Sequence, residues 1–372
     1  MEQTDSEKNM SIQEKRHLNS EIKKQVIAQE SGTSPATVRR ALHPSYRHTV
    51  GLEKRTRIEK LAGDYEYGPK HRPIRRHQAL GLMVPFSKDV FSDSYHTRSL
   101  TGIAEKLQEI KEKSKYDIKV LFADDKDYQD MHTFANSQLI DGLFILMWRI
   151  HPNLINWVLK AEKPYPVMLF NEYDKRAKAH FVVVDVGLGV EKAVHYLAEK
   201  SGRKNIAFLK GPTLNRHDSA ETPISVECID SQQKYEGFER AMRDCGLEIR
   251  PEWVKECRAY SEEQGALAAK EIFNGDKMPD ALITSNDATA IGALQALKEK
   301  GISCPETVAV IGYDGSPKGE FMNPKLTTIR QPLEDLGAEA ARQLVEIVEE
   351  GCIDVVHSKF KFDPELIIRE SA

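Results

Sequence analysis

The residues best placed to do chemistry fall in two groups. The first is the stretch Ser34-Pro35-Ala36-Thr37-Val38-Arg39-Arg40-Ala41-Leu42. Ser34 suits a helix N-cap, Pro35 suits the first helical position, and Val38 with Leu42 form an inward pair four residues apart. Pro35, Ala36, Arg39 and Arg40 then lie on the exposed side, near the helix start. An arginine there can donate two hydrogen bonds to a guanine edge in the major groove, and Arg40 is the candidate for that contact, with Thr37 and Arg39 on phosphates. The second group is a set of polar residues that follow short apolar runs: Asn171 after PVMLF, Asp185 after FVVV, Asn286 and Asp287 after ALITS, and Asp314 after VAVIGY. Carboxylate and amide oxygens accept from adjacent hydroxyls while amide nitrogens donate, so such positions suit a hydroxyl-rich ligand. Tyr95, Trp148 and Tyr260 could offer the planar apolar area that the C–H face of a pyranose needs, with Phe91 an alternative to Tyr95.

Other chemistries find little support. Gly187-Leu188-Gly189 follows a strand pattern, but Lys192 stands where a dinucleotide loop requires its third glycine. No Gly-x-Ser-x-Gly elbow, His-Glu-x-x-His pair or Walker loop is present, and the 12 histidines do not cluster at metal-ligand spacing. We therefore expect no catalytic site, no metal and no cofactor. The five cysteines, Cys228, Cys245, Cys257, Cys304 and Cys352, lack any Cys-x-x-Cys spacing and read as reduced thiols. The first twenty residues lack a signal-peptide apolar core, and no run approaches a membrane span. A protein retained in the cytoplasm, away from membranes, is the expectation.

The elements that must carry these residues follow from periodicity. The 372-residue chain is too long for one ordinary domain, and its net charge of −4 hides an asymmetry. Residues 1–78 hold 16 lysines and arginines against 10 acids, +6, which leaves −10 for residues 79–372. A basic head on an acidic body hints at a polyanionic partner. After a disordered tail over 1–19, a first helix begins at Ser20, carries Ile22, Val26 and Ile27 on one side, and ends near Ser31-Gly32. A third helix over roughly Glu53–Tyr65 places Ile58, Leu61, Ala62 and Tyr65 at helical spacing. Two short helices joined by a tight glycine turn, closed by a third, make a helix-turn-helix unit over 20–69.

From Ala79 onward the apolar runs ALGLMVP, DIKVLFA, GLFILM, PVMLF, FVVVD, NIAFLKG, ALITS and TVAVIGYD alternate with amphipathic helical stretches. That pattern predicts parallel strands buried on both faces, a doubly wound α/β architecture. About 290 residues exceed what one sheet usually holds, so two lobes are expected, with ligand in the cleft at the carboxyl ends of the strands.

Through IAQESGTSPATVRRAL, NIAFLKGP, PDALITSNDATAIGALQALKEKGISCPETVAVIGYDG and PKLTTIRQP, the sequence resembles the lac repressor (LacI/GalR) family. Ile27, Ala28, Gly32, Ser34, Thr37, Val38, Arg40 and Leu42 correspond to the family's helix-turn-helix motif. The resemblance implies base contacts from Pro35, Ala36 and Arg40, and effector contacts at Asn171, Asn286 and Asp314. It implies a periplasmic-binding-protein-like body in which the chain crosses between lobes three times, near Phe181–Val186, Ile329–Pro332 and Cys352–Val355. Lobe 1 would then hold about 79–183 and 331–352, and lobe 2 about 184–330 and 353–372. Two departures stand out. The family's hinge-helix segment is replaced by His71-Arg72-Pro73-Ile74-Arg75-Arg76-His77, where Pro73 disfavours a helix. Residues 70–78 become a basic linker whose Arg72 and Arg75 can follow phosphates. The position five residues before Gly237-Phe238, an arginine in many relatives, is Gln232, and Arg216 or His217 from the preceding expanded loop could substitute. The expectation is a regulator, most often a repressor in this family, that binds double-stranded operator DNA as a homodimer under control of a mono- or oligosaccharide. A periplasmic-type sugar receptor that does not read DNA is the alternative.

Overall fold

A computed structural model describes residues 20–42, 50–65, 67, 77–85, 94–110, 116–146, 151–160, 163–171, 173–217, 224–350 and 359–372. These fall into two compact units, Met1–Ile74 with Glu346–Val356, and Arg75–Val345 with His357–Ala372.

The head contains α1 (Ser20–Ser31), α2 (Pro35–Leu42) and α3 (Leu52–Asp64). Gly32, at φ 65°, turns the chain between α1 and α2, a left-handed conformation that costs glycine nothing. Ser34 caps α2, its Oγ accepting from the Thr37 amide at 3.1 Å. Val26, Ile27, Val38, Ala41, Ile58, Ala62 and Tyr65 close a small core, with Leu42 and Leu61 partly buried against it. The Tyr65 hydroxyl donates to Glu30 Oε1 at 2.5 Å and Arg57 Nη2 donates to the Glu30 carbonyl at 2.7 Å, joining α3 to α1. Ile22, expected on the inner side of α1, is exposed at 39%.

The body begins with β1 (Ala79–Pro85), α4 (Ser94–Ile110), β2 (Asp117–Ala123), α5 (Asp125–Gln129), α6 (Met131–Ser137), β3 (Gly142–Ile145), α7 (Pro152–Lys160), β4 (Val167–Phe170) and β5 (His180–Val184). It continues with α8 (Val186–His195), a π turn (Tyr196–Lys200), β6 (Ile206–Lys210), β7 (Leu214–His217), β8 (Ile224–Glu227) and α9 (Ile229–Asp244). Then follow β9 (Val254–Glu256), α10 (Glu262–Ile272), β10 (Ala281–Thr284), α11 (Asp287–Glu299), β11 (Ala309–Asp314), β12 (Thr327–Arg330), α12 (Leu333–Glu350), β13 (Lys359–Phe362) and β14 (Glu365–Ile367). One sheet has the order β13-β5-β4-β3-β1-β2, the other β14-β12-β11-β10-β6-β9, and β7-β8 form a small hairpin. Within each sheet the strands run in the doubly wound order 2-1-3-4-5, all parallel, and β14 alone among the described strands of these two sheets adds antiparallel to its neighbour. β3, β4, β5 and β10 are buried along their whole length, as continuous apolar runs require.

Two expectations need correction. DIKVLFA forms β2, but as an edge strand whose Ile118, Val120 and Phe122 are exposed rather than buried. Alternate residues of a strand face one way, so these three make a single apolar row. The third lobe crossing does not lie at Cys352–Val355. β13 pairs in parallel register with β5, Lys359 opposite Phe181, and only β14 returns to the second sheet, so the chain crosses at Asp363-Pro364. The other two crossings fall at Asp185 and at Gln331-Pro332, between elements of different sheets.

Candidate functional site

On the head, α2 presents Ser34, Pro35, Ala36, Arg39 and Arg40 to solvent and half-buries Thr37, while Val38 and Ala41 anchor it from below. The helix is amphipathic because Val38, Ala41 and Leu42 recur at three- and four-residue spacing. Its outer face therefore carries two cations and small side chains that let a groove approach closely. Arg72 and Arg75 lie outside the described residues, as do Trp148 and Phe91.

In the body the polar residues at strand ends converge in part. Asp314 terminates β11 with φ 104°, and Asn171 follows β4 with φ 59°. Besides Gln78 these are the described non-glycine residues at positive φ, a conformation that persists only where surrounding contacts hold it. Those contacts are visible at Asp314. Gly315 follows at φ 72°, and a Cβ there would stand 2.7 Å from the Arg330 side chain. Asp287 Oδ2 accepts from the Ser316 amide at 2.5 Å and its Oδ1 accepts from Thr328 at 2.6 Å, pinning the turn from behind. Arg98, reaching from α4 in the other lobe, donates to the carbonyls of Asp314 at 3.0 Å and Gln331 at 3.1 Å while pairing with Glu334 at 2.6 Å. The turn is thus held by both lobes.

Lys234 lies at the centre of the cluster and was missed in the sequence. Its side chain is almost fully buried, its Nζ 2.8 Å from Asp230 Oδ2 and donating to the Ser285 carbonyl at 3.0 Å, with the Tyr313 ring centroid 4.1 Å away. Burial works to lower the pKa of this ammonium, and Asp230, through its charge and its hydrogen bond, leads the groups that outweigh it, so the charge is retained. Burial pushes the Asp314 carboxyl up to about 8, against the pull of Lys234 and with Asp287 and Asp230 adding to the rise. Asp314 is then largely a neutral acid at neutral pH, able to donate as well as accept; its Oδ1 accepts from Gln331 Nε2 at 2.8 Å. Asp287 is likewise raised by burial, to about 7. Tyr260 keeps 36% of its surface exposed while its hydroxyl turns inward, donating to Asp230 Oδ2 at 3.3 Å and standing 3.7 Å from Cys228 Sγ. The result is one compensated cation, one protonated carboxyl and a partly exposed aromatic ring.

The other expected residues are placed as follows. Gln232 is exposed on α9 and donates to Glu236 at 3.1 Å. Helical phase explains the exposure: Asp230, Ser231, Lys234 and Phe238 recur at the spacing that faces the sheet, and Gln232 falls between them. Lys234, two residues on, places a buried cation on the sheet-facing side. A signal was present, because Asp230 and Lys234 form an i,i+4 acid–base pair on an otherwise apolar face. Arg216 and His217 sit on β7. Asn286 caps α11, its Oδ1 accepting from the Thr289 amide at 2.9 Å, and remains half-exposed at the end of β10. Asn171 Oδ1 accepts from the Val184 amide at 3.3 Å, tying the ends of β4 and β5. Asp185, at the first crossing, caps α8 and pairs with Lys361. Tyr95 lies half-buried at the start of α4 and packs edge-on against His96. Gly187 and Gly189 serve packing, since a Cβ on either would meet Arg240 or Tyr313 at under 3.0 Å.

Comparison with known proteins agrees with this architecture. Residues 194–372 match the periplasmic binding protein-like domain family. Catabolite control protein A of Priestia megaterium is 24% identical over 332 residues, 88% of this chain and 93% of that protein. The HTH-type transcriptional repressor PurR of Histophilus somni (strain 129Pt) is 30% identical over 234 residues, 62% of this chain and 64% of the repressor. Among solved structures, the transcriptional regulator CelR in complex with cellobiose superposes with a TM-score of 0.67 at 21% identity, covering 94% of this chain and 99% of that one. Among the described residues no helix is long and apolar enough to cross a membrane.

Proposed function

Because the chain belongs to the lac repressor (LacI/GalR) family of transcriptional regulators, we propose that its three-helix head reads operator DNA and that a small ligand bound between the two lobes of the body controls that reading. The observation that carries the DNA half is α2, capped by Ser34 and turned so that Arg39 and Arg40 are exposed while Val38 and Ala41 are buried. A helix so placed meets base edges with its N-terminal part, Arg40 on guanine and Thr37 and Arg39 on phosphates, with Arg72 and Arg75 following the backbone from the linker.

The ligand half rests on the cluster around Asp314. Lys234 is already neutralised by Asp230, and Asp314 is held protonated by burial, so the site has no spare positive charge for an acid. Paired hydrogen-bond donors and acceptors beside the Tyr260 ring suit an uncharged polyol, a mono- or oligosaccharide, and the cellobiose bound by the structural relative CelR is of that class. Asn171, Asn286, Trp148 and Tyr95 would extend the contacts. A ligand that bridges the lobes favours one lobe arrangement and thereby changes operator affinity, to the extent that it binds the two arrangements unequally. In this reading the protein acts in the cytoplasm as a homodimer and performs no catalysis.

The test uses fluorescence anisotropy with a duplex carrying a two-fold site chosen by selection from a random pool. We expect affinity to fall steeply with added salt and Arg40→Ala to lose base preference by about 1–3 kcal/mol. Failure of the full chain to bind any duplex at low salt, with and without carbohydrate, would leave only the sugar-receptor reading.

A further inference from the structure

The sequence holds no run of histidines and cysteines at metal-ligand spacing, but the fold brings Cys245 to His195, 50 residues earlier, and to Glu199, one helical turn beyond His195. We propose that these three side chains form a binding site for a borderline-soft divalent transition cation of the Zn2+ class, at the shared end of α8 and α9. The ligand atoms are His195 Nδ1, Glu199 Oε1 and Cys245 Sγ, all within 4.8 Å of one another.

Geometry supports the assignment first. Nδ1 lies 3.0 Å from Oε1 and 3.4 Å from Sγ. A tetrahedral ion with bonds of about 2.0–2.3 Å separates its donors by roughly 3.3–3.7 Å, so the two separations from Nδ1 need change by only a few tenths of an ångström, and Glu199 Oε1 and Cys245 Sγ lie within 4.8 Å of each other. Imidazole, thiolate and carboxylate are also the donor types that zinc sites use, and a fourth position is left to water.

Hydrogen bonding supports it second. Both contacts converge on the same ring nitrogen. In a neutral imidazole Nδ1 either donates to Glu199 or accepts from the Cys245 thiol, so it serves only one of the two at a time. A cation at the centre engages all three lone pairs at once, the thiol proton leaving to solvent as the thiolate binds.

The scaffold supports it third. α8 and α9 are locked by the close approach of Gly237 to Gly187, where an added Cβ would stand 2.4 Å from the Gly187 carbonyl oxygen. Farther along, Arg240 pairs with Glu191 at 2.6 Å. α8 runs on through the π turn, with the Ser201 amide donating to the Tyr196 carbonyl at 3.1 Å, and such turns are frequent at functional sites. α9 ends at Cys245, held by the left-handed Gly246 at φ 65°. Two helix C-termini therefore meet at the cluster, and their carbonyl ends favour positive charge. His195 and Glu199 retain 40% and 61% side-chain exposure, which leaves an entry path.

The experiment is a titration of the full-length chain with Co2+, followed by Zn2+ competition. We expect one equivalent of cobalt to give a thiolate-to-metal charge-transfer band and the intense visible bands of a four-coordinate site, both erased by Zn2+. Cys245→Ser should abolish the charge-transfer band, His195→Ala should abolish site formation, and Glu199→Gln should weaken affinity by more than about tenfold, whereas Cys304→Ser should change nothing. Circular dichroism of each variant separates a lost site from a lost fold. Absence of the charge-transfer band in the folded parent protein, or its persistence in Cys245→Ser, overturns the proposal and leaves an ordinary hydrogen-bonded cluster.

Discussion

Replacing Asp314 by Asn should make the ligand-free protein more stable at neutral pH while weakening ligand binding. In the folded chain burial raises this carboxyl from 3.8 to about 8. Between those values the native state retains a proton that the unfolded chain has released, so the native state binds more protons and stability falls as pH rises. The contribution is complete below 3.8, is lost progressively toward 8, and is flat above it. At pH 7 the interval is roughly 3 pH units, and at 1.36 kcal/mol per unit the cost is at most about 4 kcal/mol. Asp287 and Lys234 share the same local charges, so about 2–3 kcal/mol is the expected gain from an asparagine, which never ionises and whose Oδ1 still accepts from Gln331. Urea denaturation of both proteins from about pH 5 to about pH 8 measures it: the parent curve should fall and the variant curve should fall less, the gap widening with pH. Parallel curves across that interval would show that Asp314 does not hold its proton in the folded state, and the reading of the site as charge-compensated would go with it. Calorimetric titration with the carbohydrate that binds the parent should show the opposite order, because the variant can no longer present a carboxyl to the ligand.

Two further perturbations address the scaffold. Phe122→Glu places a charge in the exposed apolar row of Ile118, Val120 and Phe122 on the edge strand β2; if this row forms the contact between copies in the proposed homodimer, sedimentation should show a monomer at concentrations where the parent is dimeric, and an unchanged mass would exclude the row. Gly237→Ala sets a methyl 2.4 Å from the Gly187 carbonyl oxygen, backbone that cannot rotate away, so α8 and α9 must separate; a loss of about 1–3 kcal/mol in urea denaturation is expected, and a change under about 0.5 kcal/mol would mean the helix pair is looser than drawn.

Sequence alone determined what depends on local pattern. Ser34, Pro35, Val38 and Leu42 set the start and phase of α2, because capping and helical spacing act within a few residues. The apolar runs of β3, β4, β5 and β10 announced buried parallel strands for the same reason. Asn171 and Asp314 could be singled out because each ends such a run, although the strained backbone that marks them both was visible only in the fold. Tertiary structure decided the rest. DIKVLFA is as apolar as its neighbours, but its place at the sheet edge exposes one face, and edge position is a property of strand order. Lys359–Phe362 pairs with a strand nearly 180 residues earlier, so the last crossing could not be read from its own composition. Which face of α9 meets the sheet places Lys234 in the buried cluster and leaves Gln232 exposed. Asp287 and Asp230 add to the rise of Asp314 across gaps of tens of residues, and His195 meets Cys245 only because two glycines let α8 and α9 close. Burial and through-space charge depend on separations in space, which chain order does not encode.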